Sequence, residues 1–336
     1  ERQSRKIISY LPDGIYKAKD WIDGDGTVDD QIFVQVKVII KGTNITFDYT
    51  GCSSSRSAPI NCSYGALTSA VKTVFKALVE PYAPSNEGYF RPMKVVVPKN
   101  TVFSATKPTA TGWYYEGTAQ ASELAWKALA PLALNKFSAG SYMSLCAIYI
   151  CGKNINNQYV HIEPQNGGWG ATFNRDGANA MISITDGDTY NYSIELLEAK
   201  FPLQLIQYSL NTKDGLGHGK YRGGLGCIRE YKILDKDSIL YASLGRSKEP
   251  PWGMNGGKKG TCNYIIIKRG KQRIKISRVP YFVLQKNDRV EIVTGCGGGY
   301  GNPKLRDISL IKGDLMNGFL KPKDLQKTYK KTLKEL

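Results

Sequence analysis

Between residues 31 and 50 the chain reads "QIFVQVKVII" and then "NITFDYT", with β-branched and aromatic residues alternating with polar ones. A period of two marks strands with one buried face, and "KGTN" at the join predicts a hairpin. After the loop "GCSSSRSAPINCSY" the period changes. In "GALTSAVKTVFKALVE" (65–80), Leu67, Val71, Val74, Phe75 and Leu78 recur at spacings of three and four, which predicts a helix with one core-facing stripe. A second helix is expected over "SELAWKALAPLALNKF" (122–137), with Ser122 as N-cap and Pro131 kinking or splitting it. At the start, "ERQSRKIIS" reads as the end of a helix and "LPDGIY" as a turn. "WIDGDGTVDD" reads as an acidic loop without the twelfth-position glutamate and helical flanks of a calcium loop.

From residue 140 the character shifts to short apolar runs between Gly, Asn, Asp and Pro turns. "YMSLCAIYI", "YSIELLEA", "LQLIQYSL", "CIREYKIL", "SILYASL", "NYIIIK", "QRIKISR" and "RVEIV" all read as strands. The expected fold class is therefore α+β, strand-dominated, with mixed or antiparallel sheets, a few helices, and a sandwich or barrel-like layer in the C-terminal half. Residues 1–139 form the α+β portion. Residues 140–336 form the β-rich portion, with Gly-rich loops and a basic tail, and one continuous structural unit is expected.

Charge and cysteine content narrow the function classes. The 336 residues carry a net charge of +17. Lys and Arg outnumber Asp and Glu by 17 to 13 over residues 1–168 and by 29 to 16 over residues 169–336. A field of that sign attracts anionic substrates or an acidic partner. Aromatics do not interleave with basic clusters, so a nucleic-acid stacking platform is not expected. No apolar run approaches 18 residues, so no membrane-spanning helix is expected. Seven cysteines with no C-x-x-C pair, and only two histidines, exclude a zinc site of standard spacing and fit a reduced, cytoplasmic protein. The chain opens on Glu1 rather than Met, so it is expected to be cut or to be one piece of a longer product.

Four Gly-rich segments stand out: "EPQNGGWGATFNRDGANA", "GLGHGKYRGGLGCIRE", "PPWGMNGGKKG" and "TGCGGGYGNP". A phosphate loop of the Walker type needs a Lys-Ser/Thr step, and a dinucleotide fingerprint needs a helix after the glycines. "GCGGGYGNPK" has neither. Two readings remain open, separate tight turns or a shared pocket of exposed backbone N–H groups. Cys52 and Cys296 lie in Gly-rich loops, but a nucleophilic thiol needs a base within reach and neither histidine is promising. His161 reads as an ordinary strand residue and His218 as part of a turn or pocket wall.

Taken in order, these segments resemble the hydantoinase B/oxoprolinase family. "ERQSRKIISYLPDGIY" is similar to its E-x-R-x-R-x-x-I-x-x-L-P-D-G-x-Y segment, and "FDYTGCSSSRSAPIN" to its D-F-x-G-T-S-x-Q-x-x-G-P-x-N stretch. "GYFRPMKVVVPKNTVFSATKP", "GGWGATFNRDG", "EAKFPLQLIQYSL", "GHGKYRGGLGCIREY", "PPWGMNGG" and "TGCGGGYGNP" continue the series. The family's acidic and histidine-rich segments, which carry its metal ligands, belong to an N-terminal half that does not occur here.

The resemblance implies the C-terminal part of a B-type subunit in an ATP-dependent hydrolase of cyclic amides or a ketone carboxylase. It further implies a hetero-oligomer with an A-type partner that binds ATP and with the N-terminal half of the B-type subunit. That half would hold a divalent metal (Mn, Zn or Mg), with no metal in this chain. Turnover by the chain alone is not expected. Cys52, Ser55 and Ala58 stand where the family usually has Thr, Gln and Gly, which leaves a non-catalytic assembly subunit as the alternative. Candidate pocket residues for an anionic, phosphorylated intermediate are Thr50, Ser53, Arg56 and Asn61 in the first loop, with Asp48 as the carboxylate nearest it. Gly167, Gly168, Asp176, Arg222, Gly223 and Gly224 complete the set from the later Gly-rich segments. Arg222 is the preferred anion binder, because its planar fork suits phosphate or carboxylate.

Overall fold

The hairpin expected at residues 31–50 is present in the computed structural model, which describes residues 1–153, 158–187 and 189–332. The chain divides into two compact units, Glu1–Phe137 and Ser138–Leu336. In the first, β1 (Gly14–Asp23), β2 (Gln31–Lys41), β3 (Asn44–Asp48) and β4 (Met93–Val96) form one sheet in the order β1-β2-β3-β4. Its pairs are antiparallel except β3 with β4. The alternation in β2 is fully used, since Ile32, Val34, Val36, Val38 and Ile40 are all buried. Around the sheet run α1 (Arg2–Ile8), α2 (Tyr64–Val79), α3 (Glu87–Phe90) and α4 (Tyr114–Leu129). The stripe predicted for α2 is buried residue for residue, and α2 packs on α4, which in turn packs on β1 and β2.

Two expectations in this unit are corrected. The second helix begins at Tyr114, about two turns before Ser122. Ser122 is an interior, buried residue whose hydroxyl donates back to the Thr118 carbonyl at 3.1 Å. The reason is that α4 is enclosed on nearly every face over Tyr115–Ala125, so its first turns carry no amphipathic stripe to read. The helix ends at Leu129, ahead of Pro131, without a kink. Strand β1 stands where a turn and an acidic loop are expected. Its first half is only partly buried, and Lys17, Lys19 and Asp20 interrupt its apolar pattern.

The second unit holds two antiparallel sheets. One has the order β11-β10-β13-β8-β7, built from β7 (Leu203–Leu210), β8 (Cys227–Ile233), β10 (Tyr264–Arg269), β11 (Gln272–Ile276) and β13 (Arg289–Val293). The other has the order β12-β9-β5-β6, built from β5 (Ala147–Lys153), β6 (Gln158–Glu163), β9 (Ile239–Ser243) and β12 (Arg278–Val283). Ile148, Ile150 and Leu240 from the second sheet share one core with Tyr231, Ile265 and Ile292 from the first. The arrangement is a sandwich. "QRIKISR" is not one strand but two, and the chain changes sheet between Ile276 and Arg278.

"YSIELLEA" is likewise not a strand. It forms α5 (Ile194–Lys200), capped by Ser193, whose hydroxyl accepts from the Leu196 amide at 3.3 Å. Glu, Leu and Ala favour a helix once a Ser cap is in place, and only Leu197 is buried, so a short apolar run alone misassigns the segment. The helix α6 (Ile308–Met316) follows the last strand.

Replacing the cap, Ser193→Ala, is expected to destabilise the protein by about 1 kcal/mol in chemical denaturation, whereas a strand at this position would lose nothing from it.

Candidate functional site

Strand register brings the Gly-rich segments to one end of the five-stranded sheet. Tyr264 at the start of β10 pairs with Val293 at the end of β13, Val293 with Ile228 near the start of β8, and Ile228 with Ser209 near the end of β7. The segments between β7 and β8, before β10 and after β13 therefore leave the sheet side by side. The segment after β6 joins them, where Thr294 Oγ1 donates to the Asn166 carbonyl at 2.6 Å.

These segments form neither separate turns nor an open pocket. They stack backbone on backbone. A Cβ added at Gly168 would lie 2.0 Å from the Gly224 carbonyl oxygen, one at Gly224 1.9 Å from the Ala178 oxygen, and one at Gly223 1.8 Å from the Gly297 oxygen. Real Cβ atoms do not approach carbonyl oxygens so closely, so any side chain is excluded at these positions. The amides are consumed within the stack. Gly167 N–H donates to Met181 O at 2.9 Å, Gly168 to Gly295 O at 3.0 Å, Gly223 to Gly217 O and Gly224 to Trp169 O, both at 2.8 Å. A backbone whose donors are satisfied internally offers no nest to a ligand. Gly167, Gly168, Gly223 and Gly224 thus build a rigid frame, which corrects the reading of them as a cradle of free N–H groups.

Arg222 is also engaged within the fold, through Nε and Nη1. Its Nε donates to Asp314 Oδ1 at 2.8 Å, its Nη1 to Gly223 O at 3.1 Å and to Asn179 Oδ1 at 3.3 Å, and its guanidinium lies over the Phe319 ring. Arg306 completes the cluster. It bridges Asp314 Oδ2 at 2.6 Å and both oxygens of Asp176, at 2.7 and 2.8 Å, while Asp176 Oδ1 accepts the Arg222 amide at 2.9 Å. Burial raises the Asp176 carboxyl, but the hydrogen bonds and charge of Arg306 outweigh it and hold the group below the usual Asp range. The structure therefore brings Asp176, Arg222, Gly223 and Gly224 together, but as a two-carboxylate, two-guanidinium clamp. Removing one partner of such a buried set leaves an uncompensated charge, at a cost of roughly 3–5 kcal/mol. Arg306 and Asp314 were missed because nothing in "NPKLRDISLIKGDL" distinguishes them from surface charges.

In the first unit, Asp48 closes β3 and the other four candidates lie in the stretch that follows it. Asp48 accepts the Thr50 amide at 2.9 Å and pairs with Lys37 Nζ at 2.8 Å. Burial raises its carboxyl, and the Lys37 and Thr50 hydrogen bonds bring it below the usual range. Ser53 is tied by its backbone to Phe33 O and Val102 N–H. Arg56 pairs with Asp30 at 2.7 Å. Asn61 is fully buried, and its amide accepts from Arg56 N–H and donates to Arg56, Ala58 and Ala110 carbonyls at 2.8–2.9 Å. Asn61 closes the loop from within. Thr50 has its side chain exposed.

The cysteine and histidine readings also resolve. Cys296, despite its Gly-rich loop, is fully buried, with its thiol donating to Gly215 O at 2.9 Å and its pKa raised by burial. Cys52 is partly buried, and burial pushes its thiol up to about 11. His161 is a buried β6 residue 3.3 Å from Glu163 Oε2. His218 pairs its Nδ1 with the Tyr329 hydroxyl at 2.9 Å. Among the described residues, no group of three or more His, Cys, Asp and Glu side chains gathers as a metal site would. The divalent metal implied by the resemblance therefore has no ligand set among them. No helix among the described residues is long and apolar enough to cross a membrane.

Gly223→Ala is expected to destabilise the protein by more than about 4 kcal/mol or to prevent folding, because its new methyl meets backbone that cannot yield. Gly313→Ala, in α6 with nothing within 4 Å of the new atom, is expected to gain up to about 1 kcal/mol. Thermal and urea denaturation of the two variants make the comparison.

The chain matches the family described as Hydantoinase B/oxoprolinase over residues 1–303. The putative D-/L-hydantoinase B component of Pseudomonas sp. (strain NS671) is 31% identical to it over 335 residues, covering 95% of this chain and 56% of that protein. Two solved structures share the fold. The ATP-dependent caprolactamase from Pseudomonas jessenii superposes with a TM-score of 0.85 at 22% identity, over 99% of this chain and 59% of that one. A nucleotide-free acetone carboxylase superposes with a TM-score of 0.84 at 16% identity, over 97% of this chain and 51% of that one. The chain spans about half the length of the curated relatives it matches. It belongs to the hydantoinase B/oxoprolinase family.

Proposed function

We propose that the chain is the C-terminal part of a B-type subunit in an ATP-dependent enzyme that opens cyclic amides, with ketone carboxylation as the neighbouring chemistry. The observation that carries this reading is the family match across residues 1–303, supported by a relative 31% identical over 95% of the chain. The chemistry has a simple logic. A lactam carbonyl is a poor electrophile. An A-type partner transfers the terminal phosphoryl group of ATP to the amide oxygen. One water adds at the carbon and the ring C–N bond breaks with the nitrogen leaving as the protonated amine, and a second water hydrolyses the resulting acyl phosphate to carboxylate and inorganic phosphate. In this division of labour the partner holds ATP, the N-terminal half of the B-type subunit holds the divalent metal, and this chain supplies frame and wall.

A second reading, an assembly subunit without a pocket of its own, draws support from the clamp. Arg222, the preferred anion binder, already donates from Nε to Asp314 and from Nη1 to Asn179 and Gly223. Arg222→Ala cannot separate the two readings, because it breaks a buried ion pair whichever is true.

Mixing the purified chain with an A-type subunit and the N-terminal half of a B-type subunit tests the proposal, with ATP-dependent opening of hydantoin, 5-oxoproline or caprolactam as the assay. Turnover is expected only when all three are present. Failure to form a complex, or full turnover without this chain, would contradict it.

A further inference from the structure

Outside the clamp, the second unit carries a cavity of about 670 Å³ whose wall comes from four different segments. Lys258 belongs to the Gly-rich segment before β10, Lys304 follows the last Gly-rich segment, and Lys327 and Lys330 belong to the C-terminal stretch. Asp324 is the one carboxylate of the wall among the described residues, and His218 lies in it against Tyr329. Four ammonium groups against a single carboxylate give a strong excess of positive charge. None of the four lysines is in an ion pair among the described residues, in contrast to Lys213 and Lys268, whose partners lie at 2.5 Å. Like charges gathered without partners repel, and an anion relieves that repulsion.

The backbone that carries these lysines is held in place. The Lys258 amide donates to His218 O at 2.7 Å and its carbonyl accepts from Gly299 at 2.9 Å, which fixes it to the glycine stack. The Lys304 amide donates to Asn302 Oδ1 at 3.0 Å, capping a short 3-10 turn, Pro303–Leu305. Tyr329 is buried and anchors the C-terminal stretch through its hydroxyl on His218 Nδ1 at 2.9 Å. The positive groups therefore converge on the cavity from a preset frame rather than from one mobile strand.

From this geometry we infer that the cavity is a binding site for a small phosphate-bearing anion. The volume falls in the range of small-molecule sites, and charged side chains ring the wall. Compact ammonium charges approaching from several sides suit a tetrahedral dianion better than a planar carboxylate, which is matched by an arginine fork. Two sources share this chemistry, free inorganic phosphate and the phosphate group of an ester. The inference stands on the cavity alone, and the proposed ATP-dependent reaction supplies only an origin for either ligand.

Titration calorimetry on the full chain, without partner or ATP, separates this inference from the proposed function. Inorganic phosphate, phenyl phosphate and acetate are compared at matched ionic strength. Phosphate or its ester is expected to bind and acetate not to. The tighter of the first two identifies the source. The double variant Lys258→Gln/Lys327→Gln is expected to weaken binding by on the order of tenfold or more, and Lys258→Arg/Lys327→Arg to retain most of it. All the replaced side chains are exposed, so an unchanged melting temperature checks the fold. Equal heats for acetate and phosphate, or unchanged affinity in the Gln variant, would overturn the inference. So would tight binding of a single-stranded oligonucleotide at the same lysines that phosphate does not compete for.

Discussion

The second unit depends on close contact between glycine backbones. Where strands end, Gly168, Gly223, Gly224 and Gly297 approach neighbouring carbonyls so closely that a methyl group cannot be placed between them. A core without side chains has little apolar area to bury, so its cohesion must come from hydrogen bonds and dense packing. The amides of Gly168, Gly224 and Gly297 donate to carbonyls of other segments, and that of Gly223 to the Gly217 carbonyl within its own. The Asp176–Arg306–Asp314–Arg222 clamp then fastens α6 and the Asn302–Arg306 turn to this stack. Both features are buried and polar, and both belong to the fold.

That role in the fold changes what the Gly-rich segments mean for function. Density of glycine invites a phosphate-cradle reading, because exposed N–H groups at a loop or helix N-terminus bind anions. Here the same residue type serves close approach, and free positive charge lies elsewhere, on the lysines that the stack carries outward. Frame and charge are separated within the unit. Lys258 illustrates the division: its backbone belongs to the stack, through His218 O and the Gly299 amide, and its side chain belongs to the cavity wall.

Much of the fold was legible in the sequence, and the failures have physical causes. The hairpin of β2 and β3, the stripe of α2 and most strands of the second unit follow from period and turn chemistry. The start of α4 was hidden because a helix buried all round has no stripe, and α5 because its apolar run masks the Ser193 cap. The family was legible from the ordered segments. The site was only partly so. Asp176 and Arg222 do meet, yet their partners Arg306 and Asp314 come from an unremarkable stretch. No local pattern shows whether a glycine turns the chain or admits another backbone. Likewise, Lys258, Lys304, Lys327 and Lys330 are spread over 73 positions of sequence, and only the fold gathers them.

Amide hydrogen exchange followed residue by residue tests the central claim most directly. A packed glycine stack predicts that the amides of Gly168, Gly223 and Gly224 exchange as slowly as those of β8 and β13, near the limit set by global unfolding. Exchange of these amides at the rate of exposed loops, while the strands remain protected, would contradict it.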